Sequence, residues 1–451
     1  MTNTNDNVTR VFRALERDPS AMIFRDALRS LKKDIGRAFF YWLTFVLTTI
    51  FIFLFLNIAM SEAVGVTFVN TANTDISTNV SLILIVICII EIIFANDFYV
   101  RSKARDLAVR LVCGATYLQL AEYLLIQTFI LLAIAIPVGI ITSLALIPVI
   151  NTVLHTIIQT AFTVTIVPIA VIITSGILIG VIFWATFLNL GFAYRNTAAG
   201  MLNESSIKYD SSAILPMGNS NQKLSQIIAV LMLVIPVFLF FWNPDASIIS
   251  AFIGIAGISG CLTKVINPAL TNYVDHKKPD HPFILTGVGF IRTDIQILKW
   301  NILLLLVTVI FLVSVLITAT EAQEVTLVLL SYIVMNILLS LAIMFRYSTE
   351  LQSRFKYFRA LEQIGFMHED QEKIIRIEVA GLYGIVLFTI LIYIGSLMLS
   401  LVMAGRMELQ NAVILILFFA VPFILCGIFS QHYYRKAVLI HSAGEGQGST
   451  R

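Results

Sequence analysis

Arg101-Ser-Lys-Ala-Arg-Asp-Leu-Ala-Val-Arg-Leu-Val-Cys-Gly-Ala-Thr116 lies between two apolar runs, 80–98 and 119–147, each long enough to cross a bilayer. Leu107, Ala108, Leu111 and Val112 recur at helical spacing and form one apolar face, while Arg101, Lys103, Arg105, Asp106 and Arg110 supply the charged one. Gly114 permits the backbone break that turns this segment into the next apolar run. A short charged helix held between two spans lies parallel to the membrane. It can rest on lipid headgroups or fill a groove in a cytoplasmic protein.

The rest of the chain fits that membrane reading. Its 451 residues are 58% hydrophobic and 13% charged, against about 25% charged in soluble domains. Ten apolar runs can span, at 38–60, 80–98, 119–147, 162–190, 225–242, 246–265, 300–319, 325–345, 376–403 and 410–430. An even count puts both termini on one side. With Lys264 and Arg376 at the inner ends of their spans, 29 of the 30 Lys and Arg then share that side, and only Arg406 lies opposite. Basic residues collect in the cytoplasm, so both termini are expected inside a bacterial plasma membrane. The predicted fold class is all-α: a polytopic membrane protein of ten transmembrane helices. The outer loops are short, the longest being 61–79 with Glu62 and Asp75, and none could bury a core of its own.

Residues 10–37 alternate bulk and charge. Phe24, Leu28 and Leu31 recur beside Arg25, Arg29, Lys32 and Lys33, as Val11, Phe12 and Leu15 do beside Arg13 and Arg17. The pattern suits an amphipathic helix on the inner leaflet, or an ordinary basic flank. A shorter echo, 290–300, precedes the seventh span. The four cysteines have no metal or disulfide spacing and read as small core residues. The polar, Gly-rich tail 442–451 reads as disordered.

Spans one to four and seven to ten share an order: helix, outer loop, helix, charged inner segment, helix, outer loop, helix. Gly365 matches Gly114 when the charged segments are set together, although identity beyond the glycine is poor. The boundaries that follow are 1–37 as a cytoplasmic segment, 38–190 as a first four-helix module, 191–299 as a two-span linker, 300–430 as a second module and 431–451 as a tail. Such a repeat runs parallel about an axis along the membrane normal.

Arg105-Asp106-Leu107-Ala108 followed by Leu111-Val-Cys-Gly-Ala-Thr116, with Pro137-Val-Gly139 in the next span, resembles the FtsX-like permease family of ABC transporters. The match covers roughly 80–190 well and 325–430 weakly. There Arg359-Ala-Leu-Glu-Gln-Ile-Gly365 keeps the glycine and Phe366-Met367 replaces Ala-Thr. Ten spans with two such modules look like the bacitracin-export (BceB-like) subgroup. This chain has only Thr318–Glu324 where that subgroup carries a large extracellular domain. The resemblance implies that 101–116 and 349–373 couple to two copies of a separate cytoplasmic ATPase. Arg101, Lys103, Arg105, Asp106, Leu107, Arg110, Leu111, Gly114, Ala115 and Thr116 would do so in the first module, and Arg354, Arg359, Leu361 and Gly365 in the second. It further implies an amphipathic peptide or lipophilic substrate.

No Gly-x-x-x-x-Gly-Lys-[Ser/Thr] occurs, so ATP would act through a partner and no cofactor is expected on this chain. No catalytic cluster and no metal spacing are present, so an enzyme is not expected. The basic-aromatic segments are too dilute for nucleic acid. Gly176-x-x-x-Gly180 permits close helix contact, and Pro137, Pro148, Pro168, Pro236 and Pro422 permit hinges.

Glu91 sits near mid-membrane in Val86-Ile-Cys-Ile-Ile-Glu-Ile-Ile-Phe94, where a carboxylate is costly. It either hydrogen-bonds Asn57, Asn189 or Asn336, or carries protons. Two alternatives therefore stand beside an ATP-driven permease: a proton-coupled secondary transporter using Glu91, and a non-transporting relay of ATPase motion.

Overall fold

A computed structural model describes residues 19–60, 76–156, 163–195, 219–243, 247–277, 282–319 and 322–446. The described residues contain no strand. In chain order the helices are α1 (Pro19–Lys33), α2 (Ile35–Ala59), α3 (Ile76–Ser102), α4 (Ala104–Val112), α5 (Tyr117–Thr156) and α6 (Ile169–Arg195). They continue with α7 (Asn219–Trp242), α8 (Ser247–Gly260), α9 (Asn267–Lys277), α10 (Pro282–Thr318), α11 (Ala322–Gln363), α12 (His368–Met403) and α13 (Leu409–Gly446). A π-helical turn, Cys261–Ile266, joins α8 to α9.

Ten helices among the described residues are long and apolar enough to cross a membrane, and the chain is an all-α, multi-pass membrane protein. The spans coincide with the apolar runs, but several helices outlast them. α11 has 42 residues and so extends about 63 Å, roughly twice the hydrocarbon thickness. The seventh span belongs to a helix that begins at Pro282. The echo at 290–300 is therefore a stretch within the continuous α10 and not a separate surface helix, with Ile291, Asp294, Ile295, Ile297 and Leu298 all covered. The last helix continues to Gly446, so residues 442–446, expected to be disordered, are helical. Residues 10–18 of the amphipathic segment and most of the loop 61–79 lie outside the described residues.

Two compact units divide the chain. The first takes the described residues of 1–61, 88–150 and 164–208. In it α2 is the central helix. Its Phe53, Leu54 and Ile52 are fully covered, Gly139 of α5 packs against Thr49, and the Asn57 Oδ1 accepts the Val167 N–H at 2.8 Å. α1 lies against α4 through Ala27 and leaves Phe24, Leu28, Arg25 and Arg29 outward. That geometry suits either the interfacial helix or the basic flank.

The second unit takes 62–87, 151–163 and 209–451. Here α10 and α12 form the centre, with α11 and α13 beside them. The two-span insert α7–α8 joins this unit: the Tyr393 hydroxyl donates to the Ala251 carbonyl at 2.6 Å, and the Ser400 hydroxyl donates to the Phe240 carbonyl. Gly176 and Gly180 meet nothing that a side chain would touch, so their motif makes no close helix contact among the described residues. Cys88 and Cys426 are buried as core residues, whereas Cys113 is exposed. It stands at the C-cap of α4.

Candidate coupling site

The segment between α3 and α5 folds as a helix with a covered and an open face. Ala104, Leu107 and Ala108 are fully buried and pack with Ala27, Val100, Leu120, Tyr123 and Leu124. Arg105, Asp106, Val109, Val112 and Cys113 face out. Val112 therefore leaves the apolar face assigned to it: it is 70% exposed, past the last turn that α1 and α5 cover. An open face that mixes two valines with opposite charges suits a protein groove better than bulk water.

The helix ends in a Schellman motif. Gly114 has φ +96°, the Ala115 N–H reaches the Arg110 carbonyl at 3.0 Å, and the Gly114 N–H reaches the Leu111 carbonyl at 3.1 Å. The exposed Thr116 then caps α5 reciprocally. Its hydroxyl accepts the Gln119 N–H at 3.3 Å, and the Gln119 side chain accepts the Thr116 N–H at 2.9 Å.

Several polar contacts fasten this helix to the unit. Lys103, buried at the bend between α3 and α4, pairs with Asp34 and donates to Ser30 at 3.3 Å. Arg110 turns inward to Asp26 at 3.5 Å and covers the Tyr123 ring at 4.1 Å. Gln127 accepts the Tyr99 hydroxyl at 3.0 Å and donates to the Ala27 carbonyl at 3.2 Å. Arg101, exposed, pairs with Asp97 one turn back.

The second charged segment repeats this plan. Gly365 has φ +106°, the Phe366 N–H reaches the Leu361 carbonyl at 3.1 Å, and the Gly365 N–H reaches the Glu362 carbonyl at 3.0 Å. Only half of the capping box survives, because Met367 offers no oxygen and Asp370 alone accepts the Met367 N–H. Eleven residues before each glycine stands a buried cation, Lys103 or Arg354, and thirteen after it a buried polar group, Gln127 or Glu378.

Arg354 forks onto both oxygens of Asp294 and also pairs with Glu378. The Tyr347 and Tyr434 hydroxyls donate to the two oxygens of Glu378 at 3.0 and 3.2 Å. All three charged groups are buried, with side chains 4%, 1% and 0% exposed. Burial by itself would disfavour the guanidinium charge, but the carboxylates of Asp294 and Glu378 outweigh it and hold the Arg354 pKa well above its ordinary value.

The residues expected to meet a partner thus separate into two groups. Lys103, Leu107 and Arg354 are covered by the fold, so they anchor the elements and cannot themselves touch a cytoplasmic protein. Arg101, Arg105, Asp106 and Arg359 are exposed, while Arg110, Leu111, Ala115 and Leu361 are half-buried. Glu91 is 2% exposed in the first unit. The asparagines offered as its partners also make other contacts: Asn57 with Phe53 and Val167, Asn189 with Asn96, and Asn336 with Tyr332.

The family described as FtsX-like permease C-terminal matches residues 79–195, which run from the start of α3 to the end of α6. None of the curated proteins compared with the chain matches it at a significant level.

Proposed function

We propose that this protein is the membrane permease subunit of an ABC transporter, driven by separate ATPase subunits that seat on the open faces of α4 and of the last turns of α11. One observation carries the reading: two charged elements end in the same glycine turn, and each is fastened behind by a buried cation on a carboxylate. Such a fastening stops the element from sliding when its outer face is pushed. A load on Arg105, Asp106, Val109 and Val112 then passes through Lys103 to Asp34 at the start of α2, and through Gln127 to α1. A load on Tyr357, Arg359 and Ile364, all exposed, passes through Arg354 to α10 and α12. ATP-driven closure of the two motors would tilt these helices. It would thereby move amphipathic peptides or lipophilic molecules taken from the inner leaflet or the cytoplasm.

The test is co-purification of the chain from its native membrane with its ATPase. Reversing the open face, by Arg105→Glu with Val112→Asp, is expected to release the ATPase while the permease keeps its unfolding temperature. Recovery of the intact chain with no ATP-hydrolysing subunit would refute the reading. ATP-dependent substrate movement into reconstituted vesicles separates a transporter from a relay.

A further inference from the structure

Where α12 begins after Gly365 and where α13 carries Arg435, an open groove of about 190 Å³ lies between the two helices. Its walls are Glu372, Ile375 and Arg376 from α12, and Ile428, His432 and Arg435 from α13. The Glu372 carboxylate draws both guanidiniums toward the groove, Arg435 at 3.0 Å and Arg376 at 3.7 Å. Both arginines stay more than half exposed, at 56% and 68%, so most of their N–H donors face outward.

The surface beyond the groove changes character over one turn. On α13, Val421, Leu425 and Ile428 form an exposed apolar line that runs into His432, Arg435 and Lys436. On α12, Phe388, Gly384 and Ala380 form a second exposed line that runs into Arg376. A Cβ added at Gly384 would meet nothing within 4 Å, so no side chain of the protein covers this line. Two exposed apolar lines that each end at an arginine have the charge order of a phospholipid: acyl chain along the helices, phosphate at the basic end. Arginine forks match phosphate oxygens.

We propose that this groove binds the headgroup of one anionic phospholipid of the inner leaflet. Arg376 and Arg435 hold the phosphate, with His432 at the rim, and Glu372 holds the two forks in place. The site requires that α12 and α13 cross a bilayer with their basic ends at its inner face, and is independent of ATPase docking.

Native mass spectrometry of the full-length protein tests it, after incorporation into phosphatidylcholine nanodiscs doped with phosphatidylglycerol and release into detergent. The expected result is one retained phosphatidylglycerol. Its occupancy should fall about fivefold for Arg376→Gln and again for Arg435→Gln. Arg376→Lys with Arg435→Lys should restore part of it, and Arg406→Gln, beyond the opposite end of α12, should leave it unchanged. Because both arginines are exposed, their replacement is expected to leave the unfolding temperature intact, which is measured alongside. Equal retention by the wild type and the double glutamine variant overturns the proposal. So does displacement of the lipid by millimolar inorganic phosphate, which would mark a free-anion site, and so does equal retention of phosphatidylcholine.

Discussion

The first of the two charged segments proposed to couple is a nine-residue helix set off from α3 by a bend at Lys103, whose ψ is 0°. The second is the unbroken end of a 42-residue helix. Behind the first lies an apolar seat with two ion pairs, Lys103–Asp34 and Arg110–Asp26, whose aspartates are still 26% and 33% exposed. Behind the second lie one guanidinium, two carboxylates and two tyrosine hydroxyls, all covered. The same plan of cation, glycine turn and polar group is thus built once as a hinged pad and once as a stiff lever. A continuous helix passes displacement along its length, whereas a bend at a helix junction lets the pad rotate against α3.

Breaking the fastenings should expose this difference. Arg354→Leu leaves Asp294 and Glu378 buried without a counter-charge and is expected to cost about 3–5 kcal/mol, read by equilibrium unfolding in detergent. Lys103→Leu should cost less, about 1–2 kcal/mol, because Asp34 can still turn to water. Equal losses at the two positions would erase the distinction between pad and lever.

Glu378→Gln puts into the second half the residue type that the first half uses at Gln127. Arg354 and Asp294 then form a balanced pair, the amide carbonyl keeps one tyrosine as donor and the other hydroxyl can turn to accept from the amide NH2, so a loss of only about 1–2 kcal/mol is expected by the same unfolding assay. Gly114→Ala and Gly365→Ala sit in the same left-handed turn and should each cost about 1 kcal/mol, alike within error. Unequal losses would mean that the two turns are not equivalent. The smallest effect is a gain: Met367→Thr rebuilds the cap that Thr116 supplies in the first half and should add roughly 0.5–1 kcal/mol.

Much of the fold could be read from the chain because apolar length alone specifies a span, and all ten apolar runs are helices of spanning length. Gly114 and Gly365 were legible because a left-handed turn selects glycine. The fastenings were not. Asp34, Asp294 and Glu378 meet their cations across 69, 60 and 24 residues, and no local pattern encodes such a meeting. One signal was available: Glu378 interrupts Ile374-Ile-Arg-Ile-Glu-Val-Ala380 as Glu91 interrupts its own span, and it stands as far from Gly365 as Gln127 does from Gly114. Arg354 read as a docking residue because the resemblance to FtsX-like permeases implied that its charged segment couples to an ATPase. Its burial follows from two carboxylates on neighbouring helices.

Cys113 offers the most direct test, since it is the exposed thiol at the tip of α4 while Cys88 and Cys426 are buried. Membrane vesicles from the native host are treated with a membrane-impermeant maleimide, with and without the bound ATPase. Labelling of Cys113 from the inner face only, with strong protection while the ATPase is bound, is the predicted result. Labelling from the outer face, or labelling that the ATPase leaves unchanged, would contradict α4 as the surface on which the motor pushes.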